Sequence, residues 1–167
     1  MKQIFLPILG TFCFILIVGF LFSNPGKFTQ TNNFSVNNQV GNVITVNGTK
    51  INIFLAQTPE QRSEGLSKTE SLKENEGMLF VFDKKDTKPS FWMKNMLFPI
   101  DIIWINDKKV IQIDTNVPVP PKDTPDNKLE TYSPTTEIDY VLEVNAGFCK
   151  DNNIKLGSKV DLSSLEN

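Results

Sequence analysis

The sequence predicts a mainly-β fold, a compact sandwich or partly open barrel with two short helices, carried behind an N-terminal transmembrane helix. Three observations point there. Short runs of β-branched and aromatic residues recur along residues 43–164, separated by turn residues, which is the pattern of a many-stranded β domain. Only two stretches carry helix signals, and both are brief. Residues 4–22 form an uncharged apolar run, just long enough to cross a bilayer as a helix.

In chain order, residues 1–22 read as an uncleaved anchor. The sequence that follows, Leu21-Phe22-Ser23-Asn24-Pro25-Gly26, lacks the small-x-small pattern of a cleaved signal. Residues 23–42 are rich in Asn, Gln, Ser, Thr and Gly and read as a flexible polar linker, with too little apolar surface to order itself. Val43–Val46 and Thr49–Leu55 flank Asn47-Gly48, the strongest short-range hairpin signal. Thr58-Pro59-Glu60-Gln61 starts a helix: Thr58 caps it, Pro59 occupies its first turn, Gln61 closes a capping box, and Gly65 ends it as a left-handed cap. Gly77–Phe82 is a buried strand. Ser90–Met96 and Ile100–Ile105 read as two strands around Pro99, and Asn106–Lys109 turns the chain into Val110–Ile113. Val117–Pro125 holds so many prolines that only an irregular or polyproline-like loop fits it. Ile138–Val144 is a further strand, Asn145 caps a second short helix reaching Asp151, and Gly157 leads into a last strand at residues 159–162.

Composition excludes more than it reveals. A formal charge of −2 leaves no basic excess to neutralise phosphates, so nucleic acid is not an expected partner. The absence of histidine removes imidazole bases, Ser-His-Asp and Cys-His nucleophilic sites, and His-containing metal centres. Arg62 is the only arginine, so no multi-arginine clamp can form. Cys13 lies in the apolar run, leaving Cys149 as the sole thiol of the domain; without a histidine to activate it, it reads as a small packed side chain. The region around Asp123–Asp126 lacks the spacing of a calcium loop, so neither a metal nor a cofactor is expected. The expected partners are the membrane, through residues 4–22, and a cell-envelope glycan or protein. The domain itself is expected outside the cytoplasm, on a single-pass anchor.

Several segments together resemble one known family. They are Gly65-Leu66, Gly77–Phe82, Phe91-Trp92-Met93-Lys94-Asn95, Pro99–Ile103 and Val141–Gly147. In this order they are similar to the successive motifs of the bacterial and archaeal domain-of-unknown-function family 192, over roughly residues 51–160. The resemblance implies a compact, mainly-β fold, often behind a signal peptide or anchor, and no established activity. Many relatives carry an arginine shortly after the Gly-Leu pair, where this chain has Thr69.

The segment from Ser90 to Ile105 draws attention because polar groups in such apolar company are normally paired or put to use. Asp101 and Glu143 are the two candidate catalytic carboxylates. As acid and base on a glycan they would need to lie about 5 Å apart for retention, or about 6.5–9.5 Å for inversion. Each also has a bland alternative. Asp101 can fix a turn by accepting backbone N–H bonds, and Glu143 can be a solvated or salt-bridged strand residue. Lys94 can pair with either acid. Strand alternation sends Trp92, Lys94 and Met96 to one face and Phe91, Met93 and Asn95 to the other. The candidate ligand-binding set is therefore Trp92, Lys94, Asn95, Asp101 and Glu143, on a Trp92 face covered or bordered by the proline loop. The readings left open are a binding domain, a glycan-directed hydrolase using Asp101 and Glu143, and a purely structural module.

Overall fold

A computed structural model describes residues 42–165. The predicted anchor at 4–22, and nearly all of the predicted linker at 23–42, lie outside the described residues. No helix among the described residues is long and apolar enough to cross a membrane.

The described chain is mainly β, with nine strands and two short α-helices. Strand β1 (Val43–Val46) turns through Asn47-Gly48 into β2 (Thr49–Ala56), with φ of 51° and 87° at the two turn residues, as a tight hairpin requires. Helix α1 (Pro59–Glu64) follows. The hydroxyl of Thr58 accepts from the Gln61 N–H, and the Gln61 side chain accepts from the Thr58 N–H, so the predicted capping box is formed. Gly65 closes the helix as predicted, but at φ 51° and ψ −135°, a glycine conformation outside the left-handed helical well.

Strand β3 (Glu76–Val81) lies parallel to β2 and antiparallel to β8 (Tyr140–Asn145). Strand β5 (Ile100–Asn106) fills the next position, and a turn at Asp107 and Lys108 joins it to β6 (Lys109–Val117). The last strand, β9 (Val160–Asp161), pairs with β1. The spatial order is thus β6-β5-β8-β3-β2-β1-β9. A bridge between Lys109 and Lys159, with the Val110 N–H donating to Ser158 O (2.9 Å) and Gly157 N–H to Val110 O (2.7 Å), nearly closes the sheet into a barrel.

Alternation along the strands builds two cores. Ile53, Leu79, Ile103, Ile105, Leu142 and Val144 face one side and pack with Phe148 and Cys149 of α2 (Phe148–Asp151). Met78, Phe80, Ile102, Trp104 and Val141 face the other, where Leu66, Met93, Met96 and Ile138 cover them. Strand β5 is covered on both faces, so its sequence is a nearly unbroken apolar run rather than an alternating one.

Three expectations need correction. Ser90–Met96 is not one strand: only β4 (Phe91–Trp92) is extended, paired with β7 (Thr131–Tyr132) in a separate two-stranded sheet. Asn95 then takes φ 60° and the Met96 N–H donates to Met93 O, so the chain turns and drops both Met93 and Met96 into the outer core. A period-two pattern cannot place residues three apart on one side, and the assignment of Met93 and Met96 to opposite faces fails for that reason. Asn145 does not cap α2. It ends β8, and its amide donates to the carbonyls of Leu72 and Lys73, while Gly147 at φ 86° starts the helix. Finally, Ile138 forms only an isolated bridge to Thr87, and β8 begins two residues later.

Candidate functional site

Glu143 is the centre of the candidate site. On β8 it alternates with Leu142 and Val144 and so points away from the barrel core, between Met78 of β3 and Ile102 of β5. This orientation agrees with the strand reading, but the expectation of a solvated or salt-bridged residue does not hold. Helix α1 and the β4 segment roof over that face and leave Glu143 only 6% exposed. None of the hydrogen bonds or ion pairs among the described residues reaches its carboxyl. Burial alone pushes the group up from an ordinary 4.5 to about 8, because the charged form is the one that desolvation penalises.

The carboxyl opens into a cleft of about 330 Å³, the size of a small-ligand pocket and room for far more than a few waters. Phe80, Phe82, Phe91 and Trp92 supply aromatic walls, and Trp92 is 47% exposed at the mouth. Phe80 and Phe91 meet edge to face at 4.8 Å, and Phe91 meets the buried Trp104 in the same way at 5.6 Å, which fixes the wall against the outer core. Helix α1 contributes Arg62 and Glu64, and the turn after β4 contributes Lys94.

The charged residues of the cleft are already engaged. Arg62 donates to the carbonyls of Gln57 and Val81, pairs with Asp83 at 3.1 Å, and stands 5.8 Å over the Phe82 ring. Lys94 pairs with Asp126 at 2.6 Å and lies 5.4 Å from the centre of the Trp92 ring. Glu64 is paired with Lys68 at 3.1 Å. The expected pairing of Lys94 with Asp101 or Glu143 is therefore not formed.

Asp101 belongs elsewhere. Its neighbours Ile100 and Ile102 face the outer core, so its own side chain points to the opposite side of the sheet from Glu143. It is fully buried and accepts three backbone N–H bonds, from Asn116 (2.8 Å), Gly147 (3.1 Å) and Cys149 (3.0 Å). The β5–β6 register shifts between Ile100 and Ile102, and the carboxylate takes up the Asn116 amide at that irregularity. Asp101 is thus the turn-fixing residue that its bland alternative described. Because a sheet separates it from Glu143, the two cannot act on one glycosidic bond, and the hydrolase reading built on that pair is overturned. Cys149 is buried beside Asp101, and burial first, then the carboxylate, push its thiol well above the ordinary range; it packs rather than reacts.

Of the five residues expected to bind a ligand, Trp92, Lys94 and Glu143 line the cleft, while Asn95 and Asp101 do not. Asn95 is exposed and serves the turn. Residues 117–125 do not line the cleft either, although Asp126, just after the proline loop, pairs with the cleft residue Lys94. Arg62 and Glu64 were not foreseen as site residues. Among the described residues, no three Cys, Asp or Glu side chains gather as metal ligands.

The model of the domain-of-unknown-function family 192 (DUF192, Uncharacterized ACR) matches residues 42–162. The chain belongs to this family. Four of the five motifs that carry the family resemblance contribute to the cleft: Gly65-Leu66, Phe80 of β3 with Phe82 just after it, Phe91, Trp92 and Lys94, and Glu143. No match is found among curated proteins. Among solved structures, the chain is similar to a protein of unknown function from Novosphingobium aromaticivorans. The two are 30% identical, with a TM-score of 0.63, over 71% of this chain and 83% of that one. It is also similar to a protein from Sinorhizobium meliloti described as a candidate transcription regulator. Here the identity is 28% and the TM-score 0.60, over 69% and 84% of the two chains.

Proposed function

We propose that this family 192 member is a membrane-tethered, extracytoplasmic binding domain, with the cleft at Glu143 as the site for a small cell-envelope ligand. One observation carries the reading: Glu143, almost wholly buried and with no hydrogen-bond or ion-pair partner among the described residues, lines the floor of a preformed aromatic cleft with a half-exposed tryptophan at its mouth. Desolvation penalises the charged form of this carboxyl, and a ligand in the cleft that it faces would supply the partner that the described residues do not. A cleft of this volume also speaks against a purely structural module. Nucleic acid is a poor fit, because the charge is −2 and the lone arginine is engaged within the fold.

The test is thermal-shift and calorimetric screening of the full chain in detergent against envelope glycan fragments and peptides, with Trp92→Ala and Glu143→Gln alongside. A true ligand raises the melting temperature of the natural protein and loses most of that effect in both variants. Equal shifts in all three proteins would place the ligand outside the cleft. Tethering is tested separately: the chain should sediment with membranes, and proteases added outside intact cells should cut the domain from its anchor.

A further inference from the structure

We infer that the cleft takes a small ligand bearing a primary ammonium group, which seats against the Glu143 carboxylate between the aromatic walls. The inference rests on the binding reading above and names the ligand's chemistry. Around the cleft each ionic group has its own counter-charge: Arg62 has Asp83, Lys94 has Asp126, and Glu64 has Lys68. Glu143 is the exception, since no cation among the described residues pairs with it. A ligand cation is therefore the charge that the site lacks.

The walls favour the same sign. Two of the cleft's aromatic rings, those of Phe82 and Trp92, already lie under protein cations at 5.8 and 5.4 Å, within the range of cation–π attraction. An anionic ligand would have to draw Arg62 and Lys94 away from their acids and then lie against Glu143. A neutral ligand would leave the burial penalty of the carboxyl only partly offset. The volume, at the low end for ligand pockets, suits a head group with a few carbons rather than a polymer.

The groups facing Glu143 fix how pH enters. Helix α1 presents Arg62 and Glu64, the β4 turn presents Lys94, and the flanking β3 and β5 residues Met78 and Ile102 are apolar. The free carboxyl is mostly protonated at neutral pH, so seating an ammonium expels that proton. Amine affinity should then rise about tenfold per pH unit up to roughly pH 8, while an alkylamine itself stays charged.

The decisive experiment compares hexylamine, hexanol and hexanoate, three head groups on one chain, by titration calorimetry on the full-length protein in detergent. Glucosamine and Nα-acetyl-lysine amide are run beside them to separate an amino sugar from a lysine-like source. The expected result is at least tenfold tighter binding of the amine than of the alcohol, with about one proton released per amine near pH 7. Glu143→Gln should abolish that preference. The proton count is read on the natural protein, so it stands even if the variant folds poorly. Alcohol or hexanoate binding as tightly as the amine, with no proton release, would overturn the ammonium assignment and leave the cleft as a binding site. Failure of every ligand to bind, the envelope glycan and peptide screen included, would overturn both.

Discussion

Replacing Glu143 by glutamine should remove a large, pH-dependent loss of stability from this domain. The folded carboxyl holds its proton up to about pH 8, whereas the unfolded chain releases it near 4.5. Between those values the unfolded state binds fewer protons. The contribution to stability is therefore fully present below 4.5, falls as pH rises, and levels off above 8. Within the window each pH unit is worth about 1.4 kcal/mol. From about pH 5 to about pH 7, Glu143 alone then removes roughly 3 kcal/mol, on the order of 10 °C in melting temperature for a domain of this size. Glutamine matches the shape of the protonated acid and does not titrate. Glu60, Glu76 and Asp161, whose pKa values are lowered in the fold, work in the opposite direction and are common to both proteins. Urea denaturation at several pH values should show the natural protein losing stability relative to the variant by about that amount. Parallel curves would mean that Glu143 is ionised in the folded protein, and the reasoning about the cleft floor would fall.

Asp101→Asn should destabilise the domain by about 2 kcal/mol, since an amide can accept at only one of its two positions and a buried N–H loses its partner; hydrogen exchange should quicken at Asn116, Gly147 or Cys149. Gly77→Ala would place a Cβ 2.7 Å from the Glu143 carbonyl oxygen, forcing β3 and β8 apart at a cost of about 1–3 kcal/mol, read as a lower denaturation midpoint. Trp104→Phe deletes the 2.7 Å bond from the indole N–H to Asp114 and should cost about 1–3 kcal/mol, with Asp114→Ala non-additive in a double-mutant cycle. Thr58→Ala removes one half of the capping box and should cost about 1 kcal/mol by thermal melting, with binding affected only through the position of Arg62 on α1.

What was legible in the sequence was local or periodic. Asn47-Gly48 and Thr58–Gln61 carry their geometry in a few adjacent residues, and both formed as read. Alternation correctly separated Glu143 from Leu142 and Val144. It could not say that both faces of the sheet would be covered, because the roof over Glu143 comes from α1 and β4, far away in sequence. The same distance hid the cleft roles of Arg62 and Glu64, which lie on the short helix α1. The Phe91–Met96 stretch misled for the opposite reason. Its residues have strand propensity, but Asn95 tolerates a positive φ, and two methionines gained more by turning into the outer core than an extended run would have given them. One signal pointed to the cleft: the segments that carry the family resemblance are short and dispersed in sequence, and four of the five contribute residues to its lining.

Asp101 and Glu143 make the functional argument by contrast. Both are acids on adjacent strands of one sheet, almost wholly buried. Asp101 satisfies its oxygens with three backbone donors, and in doing so ties β6 and α2 to β5; its cost is offset within the fold. No hydrogen bond or ion pair among the described residues reaches the Glu143 carboxyl. An aliphatic residue between Met78 and Ile102 would pack at least as well and would avoid a penalty of several kcal/mol for burying a lone carboxyl. Under the proposed binding role, a glutamate in that position finds its partner across the cleft. The candidate of most interest is not the acid with the best-ordered surroundings but the one that the described residues leave without a partner.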